Sequence, residues 1–518
     1  MQSLSSFMRW PLRKHVQPAI GHIMVLVAVT LACATPIVAI HAASWLSTLL
    51  LWPSMKILPA AVISAGSFFL AQVLLPRCRF RLRPLISPLN WFLCMFFLQL
   101  VLVPMVVSLA GPSAKFLPFM PSDSAINIAL LLVTLAFWSF CGAIQIFHKK
   151  HPAGVMEKSR PSARSWFPPR WLILVYAILG MAGIVLRFGS FGHLVDYFMN
   201  PQSYLISSQE EGGNTASLAG AASTFLLSFS SFSVILLWCR GVSQERQRKG
   251  SFSQVREYLL VVLIAVLTPL YGYNRATFVI PMIGLAAVMT KRRLSSNFFK
   301  VLAVGALVTF VVFTISSYRM QGTNEGSAAT NNINLDDMFQ DYGAAPQYLG
   351  FLLQGTDYAK DLGMGRILLS SALSPLPILG KPFRDDSGRS IYDELIGRND
   401  QPPTFVGELF LDFHVFGVIF GFLAVGFLAA ILQNRFEVAT EPFEVFVLQF
   451  ASLWFSYFVV SSLEVVSQTA VDFSWPIYGF LLYRMFKQHG SLQPIRTGNW
   501  GTLSPRRRSD ISRAYRPF

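Results

Sequence analysis

Long apolar runs without charged residues constrain this chain more than any other feature. A helix needs about 20 mostly apolar residues to cross roughly 30 Å of hydrocarbon, and segments such as 88–110 and 406–432 meet that length. The composition agrees, because 53% of the 518 residues are hydrophobic and only 13% are charged. A soluble core cannot bury that much apolar surface. The sequence therefore predicts an all-α, polytopic membrane protein.

We predict a helical bundle of about twelve transmembrane helices with a large periplasmic loop. The predicted spans lie near 20–42, 57–75, 88–110, 125–147, 171–187, 217–239, 257–273, 276–290, 298–316, 406–432, 443–463 and 475–486. The chain then divides into a cytoplasmic segment (1–19), transmembrane helices 1–9 (20–316), the large periplasmic loop (317–405), transmembrane helices 10–12 (406–487) and a basic, disordered cytoplasmic tail (488–518).

The basic residues set the orientation of this bundle. Most of the 42 Lys and Arg residues fall in alternate connections, for example 77–83 and 291–300, and in the tail. The positive-inside rule assigns these connections to the cytoplasm, so both termini are expected there, in a bacterial inner membrane. The net charge of +16 is explained by binding to anionic membrane lipids, and no nucleic acid is required as a partner.

The turn before Arg275 is the first candidate site. Residues 271–275 read Tyr-Gly-Tyr-Asn-Arg and join the two short predicted spans 257–273 and 276–290. An arginine at the outer membrane surface is costly unless it snorkels to the headgroups or faces a polar interior. We expect Arg275 to face such an interior, with snorkelling as the structural alternative.

Three ionisable residues at the start of the predicted span 406–432 form the second candidate site. Glu408 and Asp412 are four residues apart and share one helix face, whereas His414 points elsewhere. Carboxylates at that depth are expected to pair with cations or to line a polar cavity. A structural alternative is a helix start whose acids interact with the positive end of the helix dipole.

Cations are frequent in the predicted external loop, where the positive-inside rule disfavours them. Guanidinium groups bind phosphate oxygens in bidentate fashion, so we predict a pyrophosphate ligand at this face. The substrate-binding candidates are Arg319, Arg366, Lys381 and Arg384, together with Asp412, His414 and the aromatic ring of Tyr348. No metal-type spacing of Cys and His occurs, and we expect neither a metal nor another cofactor.

Two stretches resemble the Wzy-type O-antigen polymerases, a family of GT-C-like integral membrane glycosyltransferases. One is Tyr273-Asn274-Arg275 followed by an apolar span that ends in Lys291-Arg292-Arg293. The other comprises residues 377–382, then 403–409, then Phe416-Gly417-Val418. The similarity covers about 150 residues, from 257 to 430, and Gly421 departs slightly from the usual Phe-Gly-x-x-Gly spacing.

This resemblance implies transfer of a growing glycan from undecaprenyl pyrophosphate to the non-reducing end of another lipid-linked repeat unit. It implies reaction at the periplasmic face without metal or nucleotide sugar, and it allows for a chain-length regulator as a partner. Arg275 would stabilise the leaving pyrophosphate, and Glu408 would accept the proton of the attacking hydroxyl.

Three alternatives remain open from the sequence: a ligase, a transporter and a scaffold subunit of an export complex. An O-antigen ligase resembles this layout but generally carries a functional histidine in the large loop, and residues 317–405 contain no histidine. A non-enzymatic flippase or transporter of lipid-linked glycan needs charged residues in mid-span, which the predicted spans largely lack.

Overall fold

A computed structural model describes residues 57–81, 86–113, 117–148, 168–189, 218–244, 340, 343–357, 362–376, 379–396, 404–439, 441–472 and 474–490. These residues form helices and connections, with no strand among them. The helices are α1 (Leu58–Leu74), α2 (Pro88–Ala110), α3 (Asp123–Phe147), α4 (Arg170–Phe188), α5 (Leu218–Gln244), α6 (Pro346–Gly355), α7 (Arg366–Leu373), α8 (Gly388–Ile396), α9 (Phe405–Val438), α10 (Pro442–Ser456), α11 (Leu463–Asp472) and α12 (Trp475–Gly490).

Four of the described helical segments are long and apolar enough to cross a membrane. They are α2, α3, α9 and a segment from Pro442 to Val459 that joins α10 to a final 3-10 turn. Shorter apolar helices occupy Leu58–Leu74, Arg170–Leu186 and Phe225–Leu237. Apolar runs thus form helices at eight of the predicted span positions. The predicted spans 20–42, 257–273, 276–290 and 298–316 lie outside the described residues.

Helices α3 and α9 run in the same direction through the centre of the fold. A Cβ placed on Gly426 of α9 would lie 2.6 Å from the carbonyl oxygen of Phe140, so the two backbones approach closely. About two turns farther along the chain from both residues, Asn434 contacts His148. Phenylalanine rings of α1 and α2 pack on the same part of α3, with ring centroids 5.4 Å apart for Phe68 and Phe137 and 5.1 Å apart for Phe96 and Phe137.

Polar contacts gather at the end of the bundle where α3 and α9 finish, which we call the basic end. Arg77 donates to the carbonyl of Gln145, and Arg81 pairs with Glu437. Arg81 also contacts Nε2 of His148, while Nδ1 of His148 lies 2.7 Å from the side-chain oxygen of Asn434. Because a guanidinium only donates hydrogen bonds, Nε2 accepts and the Nδ1–H donates to Asn434. Burial, together with the charge of Arg81, lowers the pKa of His148.

The opposite end, which we call the loop end, contains the described parts of residues 111–122 and 340–404. There, Gln340 donates to the carbonyl of Gly111 (2.9 Å) and accepts from the backbone N–H of Ser113 (2.7 Å). The apolar stretch at residues 346–355 forms α6, which packs on the start of α3. A Cβ on Gly350 would lie 3.1 Å from the backbone of Ala125. This stretch is therefore buried in the fold.

The predicted span 406–432 belongs to a helix that reverses direction near its start. Phe413 and His414 have non-helical backbone angles, and φ of His414 is 52°. A Cβ on Gly417 would lie 2.2 Å from the carbonyl oxygen of Leu409, and one on Gly421 would lie 2.4 Å from the Leu409 side chain. In a continuous helix, Leu409 and Gly417 would be separated by about 12 Å along the axis, because they are eight residues apart in the sequence. Residues 405–412 (α9a) therefore fold back along the start of residues 415–438 (α9b).

Candidate functional site at the loop end

The side chain of Asp412, the last residue of α9a, holds the start of α7. Its two carboxylate oxygens accept hydrogen bonds from the backbone N–H groups of Ile367 (3.2 Å) and Leu368 (2.8 Å). The N-cap position of α7 is Gly365, which has no side chain and adopts a φ of 89°. Free N–H groups at a helix start need an acceptor. Asp412 supplies that acceptor from another part of the chain.

Backbone hydrogen bonds reinforce this connection where the chain reverses. The carbonyls of Leu411 and Asp412 accept hydrogen bonds from the N–H groups of Gly363 (3.1 Å) and Met364 (3.2 Å). A Cβ on Gly363 would lie only 2.2 Å from the Asp412 carboxylate. A glycine at this position therefore allows the loop to reach the end of α9a.

Glu408 lies one turn earlier on α9a and is fully buried. Its Oε1 accepts a hydrogen bond from the Ser371 hydroxyl (2.7 Å), and its Oε2 accepts from the N–H of Leu463 at the start of α11 (2.8 Å). The Ser371 oxygen in turn accepts from the N–H of Gly388 (3.0 Å). Burying a carboxylate without donors is costly, and here each oxygen has a donor. Glu408 thereby joins α9a to α7, α8 and α11.

These contacts place two predicted site residues around one helix. Glu408 and Asp412 both bind α7, through Ser371 and through Ile367 and Leu368. His414 lies at the reversal, where its ring packs against Phe410 at a centroid distance of 5.2 Å. Ser371 was not among the predicted site residues, because a serine in a short apolar helix carries no sequence pattern that distinguishes it from its neighbours.

The basic candidates of the described loop lie on its surface. Arg366, the first residue of α7, has 70% of its side chain exposed and forms an ion pair with Asp386. A hydrogen bond from Arg366 and its positive charge lower the pKa of Asp386. Lys381 and Arg384 are exposed on and just after a 3-10 turn at Lys381–Phe383. The three cations therefore belong to one short segment that the buried carboxylates fix to the bundle.

The remaining candidates differ in what the structure says of them. Tyr348 lies in α6 with only 5% of its surface exposed, so its ring does not offer a face to a sugar in this arrangement. Arg275 and Arg319 lie outside the described residues. No group of three or more His, Cys, Asp or Glu side chains that could hold a metal ion occurs within the part of the chain described above.

Comparisons with known proteins add no assignment to this geometry. Neither the protein-family models, nor the curated proteins, nor the solved structures contain a significant match to this chain.

Proposed function

We propose that this chain is an integral membrane glycosyltransferase that polymerises lipid-linked oligosaccharide repeat units. It would transfer a growing glycan from undecaprenyl pyrophosphate to the non-reducing end of another lipid-linked unit at the periplasmic face of the bacterial inner membrane. The proposal rests on the segment 362–396, in which Arg366, Lys381 and Arg384 are exposed to solvent. Hydrogen bonds to the buried Glu408 and Asp412 fix this segment to the bundle.

The distribution of charge over the described fold supports this location. Arg77, Arg81 and the other contacts of the basic end lie opposite the loop end. By the positive-inside rule, the basic end is the cytoplasmic one. The loop end, with its exposed cations, then faces the periplasm, where lipid-linked repeat units are joined in proteins of the resembled family. The finer topology of about twelve spans with both termini in the cytoplasm belongs to this same proposal.

Chain topology also supports a role for Arg275. Arg240, near the end of α5, donates to the carbonyl of Pro168 just before α4 (2.6 Å). Trp171 of α4 packs on Tyr483 of α12, which lies beside the pair formed by Arg484 and Glu441 at the basic end. Gln340 lies at the loop end. The described residues on either side of 245–339 therefore lie at opposite ends. The three spans predicted within 245–339 agree with this arrangement, and in the proposed topology the Arg275 turn lies at the loop end.

The proposed reaction is a displacement at the anomeric carbon of the donor glycan. The acceptor hydroxyl attacks that carbon, a new glycosidic C–O bond forms, and the bond to the pyrophosphate oxygen breaks. Arg275 and the loop cations stabilise the negative charge on the departing lipid pyrophosphate. The hydroxyl proton passes to Glu408. Because Glu408 is fully buried and the Ser371 hydroxyl occupies its Oε1, this transfer requires the helix that carries Ser371 to move away from Glu408 when substrate binds.

A transporter of lipid-linked glycan is the alternative that one observation favours. Buried carboxylates next to a broken membrane helix are typical of substrate paths in transporters, and Glu408 and Asp412 lie beside the reversal at His414. Among the described residues, however, the donors to both carboxylates come from the segment 362–396 and from α11. These hydrogen bonds show that the two carboxylates anchor the loop segment to the bundle, which favours the glycosyltransferase over the transporter.

Deleting the gene and examining surface glycan on a gel tests the proposal. A polymerase leaves single repeat units and no ladder; loss of all repeats indicates a flippase, and unattached polymer indicates a ligase. Restoring the gene with Arg275→Ala should give inserted protein without polymer. Normal polymer from this variant would remove Arg275 from the mechanism. Lys291→Ala, at the opposite end of the same predicted span, serves as the control and should restore the ladder.

A further inference from the structure

The segment 362–396 presents two sets of donors that suit an anion. The first is the start of α7, where the N–H groups of Ile367 and Leu368 point out of the helix end. The second is the guanidinium of Arg366, at the first position of the same helix. Both sets already have a carboxylate partner within the chain, namely Asp412 for the N–H groups and Asp386 for Arg366.

The two carboxylates differ in how they can be replaced. Asp412 is fully buried, so a ligand cannot take its place without opening the fold. Asp386 has 38% of its side chain exposed, and its partner Arg366 has 70% exposed. Exposed ion pairs contribute little to stability because water and salt screen them. An incoming anion can therefore replace Asp386 at Arg366 at low cost.

We propose that Asp386 occupies the place of the substrate diphosphate, holding Arg366 in position until that diphosphate displaces it. This inference rests on the proposed function and adds to it a residue that occupies Arg366 until the substrate anion binds. A diphosphate carries more charge than a carboxylate, so it displaces Asp386 readily. Because Asp386 must leave before any anion reaches Arg366, it lowers the affinity for each such anion by the same factor.

Binding of inorganic pyrophosphate and of inorganic phosphate to the purified full-length protein, measured by isothermal titration calorimetry, tests this inference. Asp386→Asn should tighten the binding of pyrophosphate and of phosphate by the same factor, about two- to fivefold, because Asp386 competes equally with each anion at Arg366. Asp385→Asn removes the same charge from the adjacent residue and is the matched control, with a smaller effect on both. In an Arg366→Ala background, Asp386→Asn should change neither affinity.

Equal effects of Asp386→Asn and Asp385→Asn would overturn the inference, since they would show only a general change of charge. An Asp386→Asn effect that persists in the Arg366→Ala background would overturn it as well, and so would unchanged pyrophosphate binding by Arg366→Ala alone. None of these outcomes would contradict the polymerase proposal, which the gel of surface glycan tests separately. Loss of the polymer ladder upon deletion of the gene does not depend on whether Asp386 competes with the ligand.

Discussion

Removing the Asp412 carboxylate should release α7 from the bundle. Asp412→Ala deletes the acceptors of two backbone hydrogen bonds, at 3.2 Å to Ile367 N and 2.8 Å to Leu368 N. A hydrogen bond to a charged group contributes about 1.5 to 3 kcal/mol, and loss of a helix cap costs about 0.5 to 2 kcal/mol. We therefore expect the free energy of local opening of α7 to fall by about 2 to 4 kcal/mol.

Hydrogen exchange followed by mass spectrometry measures this opening directly. A change of about 2 to 4 kcal/mol lowers the protection of peptides covering 362–376 by roughly 30- to 1000-fold. Peptides from the distant helix α3 should keep the exchange rate of the parent protein. Asp412→Asn retains one acceptor oxygen, so its effect should be intermediate. Unchanged protection of 362–376 in Asp412→Ala would refute the conclusion that this carboxylate anchors the loop segment.

Three further predictions concern packing and charge. Gly363→Ala should expose 362–376 to exchange as Asp412→Ala does, since its Cβ would lie 2.2 Å from the Asp412 carboxylate. Gly426→Ala should lower the stability in detergent by about 1 to 3 kcal/mol, because its Cβ would overlap with the carbonyl of Phe140. Gly142→Ala is the control and should leave the stability unchanged, since nothing lies within 4 Å of its Cβ. Equal melting temperatures of the two variants would contradict the close approach of α3 and α9. The lowered pKa of His148 means that the unfolded chain binds a proton more tightly than the folded one, so stability should decrease as pH falls below the ordinary value of 6.5. His148→Gln should reduce the decrease of the melting temperature at low pH. If the melting temperature of this variant depends on pH as strongly as that of the parent protein, other groups cause the dependence.

The apolar runs predicted the positions of many helices well. The predicted span 88–110 coincides with α2, and 125–147 begins two residues after α3 does. Length and hydropathy suffice for such segments because the backbone of a membrane span must satisfy its own hydrogen bonds. Pro442 similarly marks the start of α10 within one residue of the predicted span 443–463, since proline suits the first turn of a helix.

The reversal at His414 could not be predicted from the apolar pattern. Residues 405–438 are apolar almost throughout, and neither Phe413 nor His414 is a typical turn residue. The reversal depends on tertiary packing, because α9a lies against α9b where Gly417 and Gly421 leave room for Leu409. Two glycines four residues apart are typical of a helix face that another helix approaches closely, and this spacing is the feature of the sequence that indicates the contact.

The candidate site was predicted in part. The sequence indicates that Glu408 and Asp412 share a helix face, and both contact α7 in the structure. It does not indicate that their partners are backbone N–H groups and a hydroxyl, because those groups come from segments up to 55 residues away along the chain. The burial of Tyr348 likewise depends on the packing of α6 against α3, which no local pattern encodes.

Reconstitution of the purified protein with undecaprenyl-pyrophosphate-linked repeat units, taken from the deletion strain, tests the central claim most directly. Proteoliposomes that contain the protein should form glycan chains of several repeats and release undecaprenyl pyrophosphate, in the presence of EDTA and without nucleotide sugar. Vesicles that carry Arg275→Ala should leave the single units intact. If the native protein moves these units across the bilayer without joining them, or leaves them unchanged, the assignment as a glycosyltransferase is contradicted.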